Sequence, residues 1–251
     1  MTFEPAPSAS RPGPDLLPHE TVIMAGGEGR RLLAVTGDAI PKALVPIGPR
    51  PLAEMMIEHL RGLGFRRFVF CARHLADVLK KHFGEGERLG VSIRYLIEPE
   101  PLGTAGGLAA LRPAEQSVLV VNGDVIARHD FAEMIREHEA SGAAATAGVR
   151  LHAHRIPFGV ADVDPETNVI RALREKPVQT VLVNAGVYVL SPRALALLEP
   201  GRRQDMTDLL NRLIVAGELV RARPIREEWL DVGTPASYME ALEIFGGAGE
   251  G

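Results

Sequence analysis

The chain holds a single cysteine, Cys71, and only 5% of its 251 residues are aromatic. One cysteine excludes an intrachain disulfide framework, and its place within an apolar strand pattern fits a reducing, cytoplasmic setting. Charge of one sign is also lacking. A net charge of −4 offers no basic surface for nucleic acid or for an anionic membrane. No apolar run approaches the length of a membrane span, and the opening residues lack the apolar region of a secretory signal. The eight histidines show no metal-ligand spacing, and no Cys/His or Ser/His arrangement suggests a covalent nucleophile. No internal repeat is present.

A hydrophobic fraction of 46% is ample for a core, and the length suits one large α/β domain or two small ones. Pro5, Pro7, Pro12, Pro14 and Pro18, with Ser8, Ser10 and Gly13, read as a disordered leader over residues 1–19. A single domain is expected over 20–245, divided into a first half over 20–125 and a second over 126–245. Residues 246–251 read as a flexible tail.

Periodicity orders the elements. Strands are expected at Glu20–Met24, Arg66–Cys71, Val91–Ile97 and Ser117–Asn122. Helices are expected from Pro51 to Gly62, at Leu75–Phe83 and at Thr104–Leu111. Such alternation builds an open, mostly parallel sheet covered on both faces. After a helix at Asp130–Ala140, strands crowd together at Ala143–Val149, Phe158–Asp162, Val169–Arg174 and Val181–Leu190, the pattern of an antiparallel extension. Helices return at Pro192–Leu198 and Met206–Ala216, where Asp205 reads as the N-cap and Asp208 as a first-turn acid. Short strands at Val220–Ile225 and Trp229–Leu230 and a helix at Pro235–Phe245 close the chain.

The stretch from Val22 to Lys42 carries the strongest chemical signal. A buried strand ending at Met24 runs through Ala25 and breaks into Gly26, Gly27 and Gly29, whose backbone N–H groups can approach an anion closely. Arg30, Arg31 and Lys42 add the positive charge that a polyphosphate requires. The dinucleotide fingerprint lacks its third glycine here, and the P-loop triplet Gly-Lys-Ser/Thr does not occur. A second signal is Asn122-Gly123-Asp124 at the carboxyl end of an apolar strand, where open sheets place ligands. A carboxylate there suits a hard divalent ion such as Mg²⁺.

Together these stretches resemble the sugar-1-phosphate nucleotidyltransferases, also called nucleoside-diphosphate-sugar pyrophosphorylases. The resemblance lies in Ala25-Gly26-Gly27-Glu28-Gly29-Arg30-Arg31-Leu32, Pro41-Lys42 and Pro101-Leu102-Gly103-Thr104-Ala105-Gly106-Gly107. It continues through Val121-Asn122-Gly123-Asp124, Glu175-Lys176-Pro177, Asn184-Ala185-Gly186 and Trp229-Leu230-Asp231-Val232-Gly233, and so covers nearly everything after Glu20. Departures are Ala34 and Ala43, where members of that family often carry proline.

The resemblance implies a Rossmann-like three-layer α/β/α domain with a mixed, mostly parallel central sheet and an antiparallel sugar-binding extension. It implies transfer of a nucleoside monophosphate from a triphosphate to a sugar 1-phosphate, with release of pyrophosphate. Arg31, Lys42, Asp124 and Asp231 would be catalytic, and Asp124 and Asp231 would hold Mg²⁺. Nucleotide would meet Ala25, Gly26, Gly27, Gly29, Arg30, Glu98, Gly103, Thr104, Asn122 and Gly123. Sugar phosphate would meet Gly159, Glu175, Lys176 and Asn184. An ionised carboxylate only accepts hydrogen bonds, and guanine presents two adjacent donors, so Glu98 favours GTP. A uridylyl- or thymidylyltransferase, or a silent regulatory relative, stands as the alternative. A glycosyltransferase is disfavoured because Asp-x-Asp is absent around Asp124. The sequence leaves homo-oligomerisation open.

Overall fold

A computed structural model describes residues 17–27, 29–32, 40–111 and 114–247, with only the backbone of Arg30. The expected leader up to residue 16, Glu28, the Arg30 side chain, Ala34 and the tail beyond 247 lie outside the described residues. Strand β1 (Leu17–Ala25) starts three residues before the expected Glu20, its end tied by Leu17 N–H donating to the Gly64 carbonyl at 3.0 Å. A small ladder of β2 (Pro46–Ile47) and β3 (Arg50–Pro51) leads into helix α1 (Leu52–Gly62). Then come β4 (Phe65–Ala72), α2 (Ala76–Phe83), β5 (Ser92–Ile97), β6 (Val118–Asn122) and the short β7 (Val125–Ala127).

Helix α3 (Phe131–Ser141) begins where the Asp130 carboxylate accepts from Glu133 N–H at 2.9 Å, satisfying one of the donors that a helix start leaves orphaned. After it come β8 (Ala145–Arg155), β9 (Val160–Val163), β10 (Ile170–Arg174) and β11 (Val178–Leu190). Helices α4 (Pro192–Ala196) and α5 (Met206–Val215), strands β12 (Val220–Pro224) and β13 (Trp229–Asp231), and helix α6 (Pro235–Phe245) complete the chain. Helix α6 is opened by a reciprocal pair in which Thr234 and Ser237 each accept from the other's backbone N–H.

Seven strands form one sheet in the order β12-β8-β11-β6-β1-β4-β5. The pairs β6–β1, β1–β4, β4–β5 and β12–β8 are parallel, whereas β11 runs antiparallel to both β6 and β8. This is the mixed, mostly parallel sheet that the sequence implies. Alternate residues of the central strands feed opposite cores. Ile23, Phe68, Phe70, Leu119 and Val121 pack with α1, α2 and α3 on one face. Val22, Val69, Cys71 and Val120 pack with residues 106–111, α4 and α5 on the other. Three layers result, because a strand buried on both faces must be apolar at every position.

Two expectations change. Thr104–Leu111 is not an α-helix: only Gly106–Leu111 winds, as a 3₁₀ helix. Its entry is captured by a neighbouring loop, since Ala105 and Gly106 N–H both donate to the Gln204 carbonyl and Gln204 N–H donates to the Leu102 carbonyl. Those tertiary bonds replace the turns that an α-helix would have made. Asp205 stands at the α5 N-cap position, but its side chain does not cap that helix. Instead Asp205 Oδ1 accepts from Thr104 N–H at 3.1 Å, and Thr104 Oγ1 accepts from Met206 N–H at 2.8 Å. Residues a hundred positions apart thus cap one another.

Candidate active site

The parallel strands end together at one edge, and there the glycine loop leaves β1. Gly29 has a left-handed φ of +62°, and a side chain there would meet the Lys42 stem at 3.5 Å. That close approach carries Lys42 across the loop. Pro41 sets the extended entry to the 3₁₀ turn Lys42–Leu44, and the lysine side chain is only 15% exposed. Arg31 lies in a second 3₁₀ turn, Arg30–Leu32, anchored by buried Leu32. Its guanidinium reaches the neighbourhood of Gly233 and Asp231.

Asp124 is placed by its neighbours. Gly123 N–H donates to the Met24 carbonyl at 2.9 Å, and a Cβ at Gly123 would come within 2.6 Å of that oxygen. Only glycine lets the chain turn so tightly against β1. The unforeseen strand β7 then pairs antiparallel with β13, setting Val125 opposite Asp231, and Val232 N–H donates to the Asp124 carbonyl at 2.8 Å. Trp229 Nε1–H, bonded to the Ala185 carbonyl at 2.8 Å, ties β13 to β11.

The two aspartates therefore lie side by side although 107 positions separate them in the chain. Lys42 Nζ pairs directly with Asp124 and lies 3.9 Å from Asp231 Oδ1. Burial pushes the Asp231 carboxyl above the usual carboxylate range. The charge of Asp124 adds to this, against the pull of Lys42 and Arg31. All four expected residues, Arg31, Lys42, Asp124 and Asp231, thus come together. The upward push on Asp231 marks a carboxylate that is poorly solvated where it stands and faces a second carboxylate. Two adjacent hard oxygen donors, one of them poorly solvated, fit a divalent cation. Among the described residues no group of three or more His, Cys, Asp or Glu side chains gathers to hold a metal.

A cavity of about 490 Å³ opens beside this cluster, lined by Met24, Gly26, Gly27, Gly29, Arg73, Glu98, Pro101, Gly103, Thr104, Asn122, Asp124, Arg203 and Asp205. Ala25, buried at the end of β1, and Gly123 are not among the lining residues, though each is flanked in the chain by two that are. Gly103 needs its positive φ of +79°, and a side chain there would strike the Gln204 carbonyl. Glu98 follows β5, is 93% buried and has its N–H bonded to the Ala72 carbonyl at 2.9 Å. Its carboxylate accepts from the Cys71 thiol at 3.3 Å and, at a long 3.5 Å, from Leu102 N–H. Burial and the Glu98 charge push the Cys71 thiol far up, so it keeps the proton it donates.

Arg73 and Arg203 were missed. Arg73 follows the carboxyl end of β4, where the rule for open sheets would have found it. Arg203 comes from the loop between α4 and α5, and no local pattern announces it.

The sugar-side expectations do not converge on this cavity. Glu175 and Lys176, in the turn between β10 and β11, are exposed and 3.8 Å from each other. Lys176 adopts a left-handed φ of 42°, and Gly159 sits beside the Glu175 carboxylate. None of the three lines the cavity. Asn184 is closer to the cluster: it donates to the Tyr188 hydroxyl at 2.7 Å and accepts from Gly186 N–H at 3.0 Å. The Tyr188 hydroxyl is pushed up by burial and, against the Asn184 bond, by the charge of Asp124. Gly186 (φ +69°) packs against the Asn122 side chain, linking this segment to the end of β6.

The chain also matches known proteins. The family model described as Nucleotidyl transferase matches residues 20–245. A probable mannose-1-phosphate guanylyltransferase of rice (Oryza sativa subsp. japonica) is 32% identical over 234 residues, covering 90% of this chain and 64% of that protein. A UTP–glucose-1-phosphate uridylyltransferase of Synechocystis is 28% identical over 243 residues, covering 89% of this chain and 62% of that one. Among solved structures, HddC from Yersinia pseudotuberculosis complexed with GMP-PN superposes with a TM-score of 0.69 at 25% identity, covering 90% of this chain and 98% of that one. The present chain thus spans just under two thirds of the length of these curated relatives.

Proposed function

The chain belongs to the nucleotidyl transferase family, and from that premise we propose that it joins a nucleoside triphosphate, GTP, to a sugar 1-phosphate. An anionic phosphate oxygen of the sugar 1-phosphate attacks the α-phosphorus. The bond from that phosphorus to the bridging oxygen of the β-phosphate breaks, and pyrophosphate leaves with the electron pair. The products are an NDP-sugar and pyrophosphate, and no covalent enzyme intermediate is needed. Catalysis then consists of holding two polyanions in line and neutralising growing charge.

The juxtaposition of Arg31, Lys42, Asp124 and Asp231 beside the glycine loop carries this reading. Backbone N–H groups of Gly26, Gly27 and Gly29 would receive the triphosphate, and Arg31 and Lys42 would neutralise it. Asp124 and Asp231 would hold a divalent cation such as Mg²⁺, which when bound supplies further positive charge at the phosphates. Residues 20–125 would serve the nucleotide and 126–245 the sugar phosphate. On the sugar side, Asn184 is the nearer residue, and Gly159, Glu175 and Lys176 would act from the β9–β10 arm. No helix among the described residues is long and apolar enough to cross a membrane, and a cytoplasmic place suits the substrates.

The choice of GTP rests on Glu98, a buried carboxylate that lines the cavity with only weak donors of its own. Guanine would bring N1–H and the 2-amino group as the missing donors. The names of the rice relative and the nucleotide in the HddC complex agree with it. The uridylyltransferase name of the Synechocystis relative supports the second reading, a uridylyltransferase. The test is pyrophosphate release with Mg²⁺, crossing GTP, UTP, dTTP, CTP and ATP with mannose-, glucose-, glucosamine- and heptose-1-phosphates, with an EDTA arm. One strong GTP pair, abolished by EDTA, is expected. Turnover with UTP or dTTP and none with GTP would overturn the base, and silence across the panel would overturn the reaction.

A further inference from the structure

We propose that Gly107 and Cys71 are positioning residues that set base selection by clamping the Glu98 carboxylate. The inference rests on the reading that Glu98 meets the base. Glu98 is held on three sides. A Cβ built on Gly107 would overlap both Glu98 Oε1 and Cys71 Sγ, and one built on Gly26 would stand 3.3 Å from Glu98 Oε2. The carboxylate therefore occupies space that only two glycines leave open, with a thiol donating to it from the third side.

Neither wall can retreat. The 3₁₀ turn that holds Gly107 is pinned to the α4–α5 loop, because Ala105 and Gly106 N–H both donate to the Gln204 carbonyl and Gly106 packs tightly on the Arg202 carbonyl. Cys71 is fully buried inside β4, paired with Met24 of β1 on one side and Leu96 of β5 on the other. Of the three groups only the Glu98 side chain has rotatable reach, so a methyl group at Gly107 must displace the carboxylate. The geometry of its two acceptor oxygens towards the cavity would then be lost.

The consequence is selective. Guanosine triphosphate and inosine triphosphate share N1–H and differ by the 2-amino group, so their kcat/KM ratio reads the second hydrogen bond to Glu98. A bond to a charged acceptor corresponds to a discrimination of about 10- to 100-fold. In Gly107→Ala the ratio is expected to fall to within about threefold of unity, through a raised KM for GTP, with KM for the sugar 1-phosphate unchanged. Cys71→Ala removes the donor without adding bulk, and a fall of about threefold is expected, whereas Cys71→Ser keeps a donor and the wild-type ratio. Thermal melts accompany each variant, and the two Cys71 variants decide the matter if Gly107→Ala does not fold.

A GTP preference that survives in folded Gly107→Ala and Cys71→Ala overturns the positioning role alone. A wild type that uses UTP and not GTP removes the guanine reading, and this inference falls with it.

Discussion

Replacing Asp124 and Asp231 each by asparagine is expected to abolish turnover in both cases, yet only the change at Asp124 should lower thermal stability. Lys42 pairs directly with Asp124, and its side chain is only 15% exposed. Removing one partner of a fully buried pair costs about 3–5 kcal/mol. Asp124 is 23% exposed and Asp231 remains 3.9 Å from the ammonium, which reduces the expected loss to about 1–2 kcal/mol. For a chain of this size each kcal/mol moves the midpoint by about 2–4 °C, so Asp124→Asn should melt about 2–8 °C below the wild type.

Asp231 behaves otherwise. Its attraction to Lys42 at 3.9 Å ranges from about 1 kcal/mol in water to about 4 kcal/mol at intermediate dielectric. Its carboxyl is nonetheless pushed up, so burial and the Asp124 charge outweigh the lysine and Arg31. The ionised form is a net cost to the fold, discounted to about 1 kcal/mol or less because the side chain is 47% exposed. Asp231→Asn should therefore melt with the wild type or up to about 4 °C above it.

The sign with pH follows. A carboxyl raised in the folded state contributes stability below its unfolded pKa and loses it as pH rises through the folded value. The gap between Asp231→Asn and the wild type should open as pH rises through the acid range and close in stronger acid. Calorimetry of the unliganded protein in EDTA, from about pH 4 to about pH 8, reads both signs. A midpoint for Asp231→Asn several degrees below the wild type at neutral pH would refute the reasoning, as would a gap that does not depend on pH.

Two further outcomes can be checked. Gly186→Ala puts a side chain at a left-handed φ of +69° and against the Asn122 amide, so a loss of about 2 kcal/mol or more is expected in denaturant unfolding. Thr104→Val removes the acceptor for Met206 N–H at the start of α5 and loosens the wall of the cavity proposed to take the nucleotide. About 1 kcal/mol of stability should be lost, and KM should rise for the triphosphate but not for the sugar 1-phosphate in steady-state kinetics.

What could be read from the chain alone was whatever local chemistry dictates. Apolar runs of five to nine residues between helical patterns specify buried strands, so the strand–helix alternation and a mostly parallel sheet covered on both faces follow from periodicity, and the mixed three-layer domain from the resemblance. Gly26, Gly27 and Gly29 beside two arginines and Pro41-Lys42 point to the proposed anion site, because glycine and positive charge are what an anion needs. The strand-end rule likewise gives Asp124. Other features depend on residues that meet only after folding. A short strand is expected at Trp229–Leu230, but its partner β7, three residues long, gives no periodic signal, so the β7–β13 ladder that sets Asp231 beside Asp124 shows only in the fold. Thr104 donates to the Asp205 carboxylate and accepts from Met206 N–H across the fold, where an α-helix and an N-cap are expected and a 3₁₀ turn and a loop tie are found. The space around Glu98 is of the same kind. A motif shows that residue 107 is glycine, but only the packing of β4, β5 and the pinned turn shows that a carboxylate fills the volume a side chain would have taken.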